Sequence, residues 1–270
     1  MANDEFLARE VLGHGAYVCL RWRAPGNVPT GPLAHLAELA ERQGLRNEFD
    51  PAPAAPSRES IAFLRRHGAV AGQIGDDDLL AADAVIHVSS ARAELVDEFC
   101  AEASRQLGAA ARVRTMRGVV RPKNYTGAAM NNFAYARQVT QRPGPEMPNA
   151  FLVPVSKTAE WWRKDWMERH TYFLPRYDDT GRMVNQGHAL AAEAGIACLL
   201  RRTYRSQTEP APAGEYDFVS YFECADNDVP TFHAVCEALR DVDRNPEWRF
   251  VREGPTWHGR RVASWKDLAM

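Results

Sequence analysis

The chain has 270 residues, 45% hydrophobic and 25% charged, an ordinary globular composition that supplies enough apolar residues for one or two cores and excludes a disordered chain. Its formal net charge is -2, with acidic and basic residues interleaved, so no single-sign field speaks for a nucleic-acid partner. The five cysteines (Cys19, Cys100, Cys198, Cys224 and Cys236) form no Cys-x-x-Cys pair and are odd in number. They fit small buried hydrophobes in a reducing compartment better than a disulfide framework.

Asp4, Glu5, Arg9 and Glu10 interrupt the stretch where a secretory signal needs an apolar run. No segment approaches the roughly twenty apolar residues that cross a bilayer. The expectation is a cytoplasmic protein with no membrane partner.

In chain order, residues 15–22 are rich in β-formers and meet Pro25 and Gly26, a strand followed by a turn. A helix begins at Thr30, with Leu33, Leu36, Ala37 and Ala40 at helical spacing up to Gly44. Pro51, Pro53 and Pro56 mark a loop, and residues 61–67 are expected to add a short helix. Residues 84–88 read as a strand, 91–107 as an amphipathic helix and 113–120 as a strand closing at Pro122.

After a polar, Pro-containing segment at 141–148 the pattern repeats. It runs strand (150–155), helices, strands (196–204 and 218–223), helix (229–241) and strand (248–251). The expected fold is α+β: two ferredoxin-like units, residues 1–145 and 146–270, whose sheets combine into one barrel-like core, the arrangement of a dimeric α+β barrel.

Eight histidines show no zinc-site spacing, and GxGxxG, GxxxxGK[ST] and GxSxG are absent. Composition and spacing alone stop at a soluble α+β protein.

Four segments go further. Pro154-Val155-Ser156-Lys157-Thr158-Ala159-Glu160-Trp161-Trp162 resembles the Pro-Val-x-Lys-x-Ala-Glu-Trp-Trp segment of the chlorite dismutases. His188 is followed thirteen residues later by Arg201 and sixteen later by Tyr204, offsets similar to those between that family's haem-ligating histidine, distal arginine and a strand tyrosine. Asp217-Phe218-Val219-Ser220-Tyr221-Phe222-Glu223 is similar to Asp-Phe-x-Thr-Tyr-Phe-Glu. Gly118-Val119-Val120-Arg121-Pro122-Lys123-Asn124-Tyr125 resembles the strand end that borders the haem. The likeness spans residues 80–260 and is densest in the second half.

The resemblance implies haem b in the C-terminal unit, a small-molecule substrate and assembly into a homo-oligomer. His188 becomes the iron ligand, since a neutral imidazole can bind one face and leave the other open. His170, in Glu168-Arg169-His170-Thr171, is the rival ligand. Arg201 becomes the catalytic distal residue, holding a small anion with a permanently charged guanidinium. Arg202 beside it must point to the opposite face of the strand. Lys157 is offered to a haem propionate, Trp161 and Trp162 to the haem face, and Asn124, Tyr125 and Ser220 to its surroundings.

The same residue types also serve as surface arginines, solvated lysines or core tryptophans. The acid expected to bond the ligand histidine falls on Arg244, with Asp241 and Asp243 nearby. Against the related coproheme decarboxylases, Val153 stands in place of a radical-forming tyrosine and Arg201 in place of a non-arginine, which favours a chlorite dismutase-like site.

The implied activity is a haem-dependent oxidoreductase converting chlorite to chloride and dioxygen. Three rivals stand beside it: a haem enzyme acting on an organic nitrogen-oxygen compound, as in the aldoxime dehydratases, supported by the longer stretch between Trp162 and His188 and the changed hairpin after Tyr204; a non-catalytic haem carrier or sensor; and a scaffold without haem.

Overall fold

A computed structural model describes residues 11–24, 28, 30–49, 59–67, 78–121 and 146–268. The first half runs β1 (Gly13–Trp22), α1 (Thr30–Arg42), β2 (Arg46–Asn47), β3 (Ser60–Arg66), β4 (Ala84–Ser90), α2 (Ala93–Leu107) and β5 (Ala111–Val120). In α2 the buried residues are Val96, Phe99, Cys100, Ala103 and Leu107, the three-to-four spacing that turns one helix face to a core. With α1 they cover the outward face of β1, β3 and β4, where Ala16, Val18, Leu20, Phe63 and Ile86 are buried. The strands pair antiparallel in the order β5-β1-β4-β3, the ferredoxin-like arrangement.

The second half contains β6 (Asn149–Lys157), α3 (Ala159–Arg163), α4 (Trp166–Thr171), the small hairpin β7 (Arg176–Tyr177) and β8 (Met183–Asn185), and α5 (Gly187–Ala191). It continues with β9 (Leu200–Arg205), β10 (Phe218–Cys224), α6 (Val229–Arg240), β11 (Val251–Glu253) and β12 (Trp257–Val262). Here β10 lies between β9 and β6, and β12 and β11 pair in turn along the other side of β6. Between the halves, β5 meets β9 at Val119 and Arg205, and β12 meets β3 over four residue pairs, Gly259–Arg66 to Val262–Phe63. The path β6-β10-β9-β5-β1-β4-β3-β12 returns to β6, so the two sheets close into one barrel.

The short helix expected at 61–67 is instead strand β3, Ser60–Arg66. Ile61 to Leu64 are all buried, because neighbouring strands and α-helices cover both faces; a short, fully apolar run has no alternation to distinguish strand from helix. The strand expected at 248–251 begins only at Val251, after a 3-10 turn over Pro246–Phe250, and β12 lay outside the expected elements. All five cysteines are free; Cys19, Cys100 and Cys224 are buried, while Cys198 and Cys236 are partly exposed. Among the described residues, no helix is long and apolar enough to cross a membrane.

Candidate active site

Strand alternation assigns the side chains of the second sheet to two different environments. Leu200 and Tyr204 of β9, Val219 and Tyr221 of β10, and Ala150 and Leu152 of β6 point into the barrel. Arg201, Thr203 and Arg205, then Ser220 and Phe222, then Val153, Val155 and Lys157 point outward and line a pocket. That pocket is closed by α5, α6 and the Pro246–Phe250 turn through His188, Phe232, Val235 and Glu247. Arg201 and Arg202 therefore part as the pleat requires: Arg201 lines the pocket, and Arg202 turns inward to an ion pair with Glu48 at 2.6 Å.

His188 is placed by its backbone. Gly187 has φ +62°, and a Cβ there would stand 2.4 Å from the Leu174 carbonyl oxygen, so only glycine fits the turn that starts α5. The Gln186 and Gly187 amides donate to the Arg244 carbonyl, and those of His188 and Ala189 to the Tyr172 and Phe173 carbonyls. The Phe173 ring lies 5.2 Å from the imidazole, centroid to centroid. Part of the lengthened stretch between Trp162 and His188 thus supports the helix that carries the histidine.

The imidazole Nδ1 meets Glu247 Oε2 at 2.8 Å, while the other Glu247 oxygen bonds the Lys157 ammonium. All three side chains are largely buried. Burial by itself would raise the Glu247 carboxyl, but the Lys157 charge, and then His188, outweigh it and hold the group at about 2. An ionised Glu247 accepts the Nδ1 proton, which leaves the Nε2 lone pair as the imidazole's ligating position. Lys157 also sits 4.3 Å from the Trp161 ring centroid, so the ammonium offered to a propionate is already engaged.

On the Trp pair, Arg169 donates to the Trp161 and Trp162 carbonyls at 3.2 and 2.8 Å and lies over the Trp162 ring. Trp162 Nε1 is buried without an acceptor among the described residues.

His188, Arg201, Lys157, Trp161, Trp162 and Ser220 all line this one pocket, whereas His170, at the end of α4, does not. Asn124 and Tyr125 lie outside the described residues. The acid beside the histidine is Glu247 and not a residue at 241–244. Arg244 instead serves the Gly187 turn through its carbonyl and a 3.0 Å bond from its Nε to Gln186 Oε1. Glu247, Thr203, Arg169 and Phe173 were missed by sequence reasoning. The one available signal for Glu247 was an acid set between Pro246, Trp248 and Phe250 in a buried turn.

Among the described residues no three His, Cys, Asp or Glu side chains gather as metal ligands. A metal bound by His188 must bring its other ligands with it, as an iron porphyrin does. The apolar walls and the unmatched Trp162 donor could hold such a flat, carboxylate-bearing group.

No protein-family model matches the chain, and no curated protein matches it. Solved structures do. Chlorite dismutase from Candidatus Nitrospira defluvii in complex with imidazole is 20% identical, with a TM-score of 0.67 over 99% of this chain and 98% of that one. A tryptophan-to-phenylalanine mutant of that enzyme in complex with cyanide is also 20% identical, TM-score 0.67, over 100% and 98% of the two chains. An arginine-to-alanine mutant is 21% identical, again with a TM-score of 0.67, over 99% and 98%. The chain is an α+β barrel of two ferredoxin-like units with a pocket on the outer face of the second. It has the chlorite dismutase-like fold.

Proposed function

We propose that this protein is a chlorite dismutase-like haem enzyme, binding haem b in the pocket with His188 Nε2 as the iron ligand and acting on a small oxygenated anion, most concretely chlorite. The reading rests above all on His188, whose Nδ1 is committed to a buried, ionised Glu247 in the same pocket as Arg201. Bound haem would supply the redox chemistry that turns chlorite into chloride and dioxygen. Glu247 holds the imidazole in one tautomer and orientation, and Lys157 keeps Glu247 ionised. Arg201 offers a permanent positive charge to the anion and to the chlorine-containing fragment derived from it. Val153, Val155 and Phe222 give the pocket around it apolar walls. A homo-oligomer in the cytoplasm completes the proposal.

An optical haem titration of the wild type and His188→Ala, followed by an oxygen-electrode assay with chlorite, tests it. Stoichiometric Soret binding lost in His188→Ala, with oxygen release that Arg201→Ala reduces by a factor of ten or more, is expected, roughly the loss of one charge-assisted bond. Haem uptake without oxygen release would point to an organic substrate instead. No uptake would overturn the haem assignment.

A further inference from the structure

On the pocket wall Thr203 lies two residues from Arg201 along β9 and directly opposite Ser220 of β10, so the three side chains share one face of the sheet. Arg201 Nε donates to Thr203 Oγ1 at 3.2 Å, and Thr203 Oγ1 is 3.3 Å from Ser220 Oγ. A hydroxyl that accepts the guanidinium N–H has its own proton to give, and Ser220 is placed to take it. Phe218 and Phe222 flank this strip on β10, and Arg205, two residues further along β9, is ion-paired with Glu209 at 2.7 Å.

An arginine that holds an anion must be fixed beforehand, because its stem carries considerable rotamer entropy. A threonine hydroxyl on a strand, stiff at χ1, offers the guanidinium a fixed, neutral oxygen.

We propose that Thr203 is a positioning residue for Arg201, its hydroxyl, backed by Ser220, setting the guanidinium for an anion at the iron. This rests on the haem reading above. Thr203→Val keeps the shape and the strand preference while removing the bond. Fluoride, a small anion that accepts hydrogen bonds, is the probe, titrated optically on the haem-loaded chain.

Thr203→Val should weaken fluoride about three- to tenfold, the worth of one hydrogen bond, while haem affinity stays as in wild type and Thr203→Ser restores binding. In an Arg201→Ala background the same substitution should have no further effect. Unchanged fluoride affinity, or equal weakening without Arg201, would overturn the proposal. In the haem-free chain the Arg201 Nε–H resonance should shift and exchange faster with solvent in Thr203→Val, and an unmoved resonance would also overturn it. A wild type that takes up no haem defeats the functional reading, while this resonance still decides whether Thr203 holds Arg201.

Discussion

Glu247 is buried with a lysine ammonium on one oxygen and an imidazole on the other. Removing it as Glu247→Ala leaves Lys157 buried without a counter-charge and should cost about 3–5 kcal/mol, read from urea unfolding at neutral pH. Its pH dependence follows from the direction of the shift. The folded value, about 2, lies below the ordinary glutamate value near 4.3, so the fold favours the ionised form. That stabilisation is complete above the ordinary value and disappears as pH falls through the folded one. The gap in unfolding midpoint between wild type and Glu247→Gln should therefore hold steady from neutral pH to about 5 and shrink below about 4. A gap that grows on acidification would contradict the ion-paired Glu247. Its pairing was not legible in the sequence because its partners are 59 and 90 positions away, and no local pattern reports them.

Elements carry the site through their geometry. The helix α5 is only five residues long and has little propensity of its own, so it is held by the Gly187 turn and by amide bonds to Tyr172, Phe173 and Arg244. Gly187→Ala must both adopt a left-handed backbone and meet the Leu174 carbonyl. It should lower stability by roughly 1–3 kcal/mol and weaken haem uptake by the same displacement of His188, measured by urea unfolding and Soret titration. Strand β10 was legible in advance, as was β9 apart from residues 196–199, which were expected in the strand but precede it; that Arg201 and Arg202 part company follows from the pleat alone. Strand β3 was not legible, since an Ile-Ala-Phe-Leu run buried on both faces carries no period.

At the scale of the whole molecule, the barrel interior holds, among its apolar side chains, a polar and aromatic cluster drawn from both halves. Tyr204 Oη bonds His87 Nε2 at 2.8 Å, Tyr17 stacks on His87 at 4.9 Å, and Glu48 pairs with Arg202. Burial pushes His87 down to about 3, so its imidazole is neutral at pH 7. Gly15 makes room for this cluster: a Cβ there would come within 2.1 Å of the Tyr204 ring. Tyr204→Phe should cost about 1–3 kcal/mol by leaving His87 Nε2 without its partner, measured as a loss in unfolding free energy. Because Glu48 and His87 stand in the first half and Arg202 and Tyr204 in the second, residues 146–268 expressed alone would expose buried charge. That fragment should show no cooperative thermal transition, and a sharp one would refute the shared core.

The sequence by itself determined the periodic elements, the opposed faces of the second sheet, and the placing of His188 and Arg201 on a helix and a strand. These follow from side-chain patterns within a few residues and from a resemblance written in contiguous segments. Only the tertiary structure decided that the sheets close through β5–β9 and β12–β3, that Glu247 is the acid beside His188, and that Tyr172 and Phe173 hold α5. Those features join residues far apart in the chain, and such contacts exist only once ring closure and burial have brought the elements together.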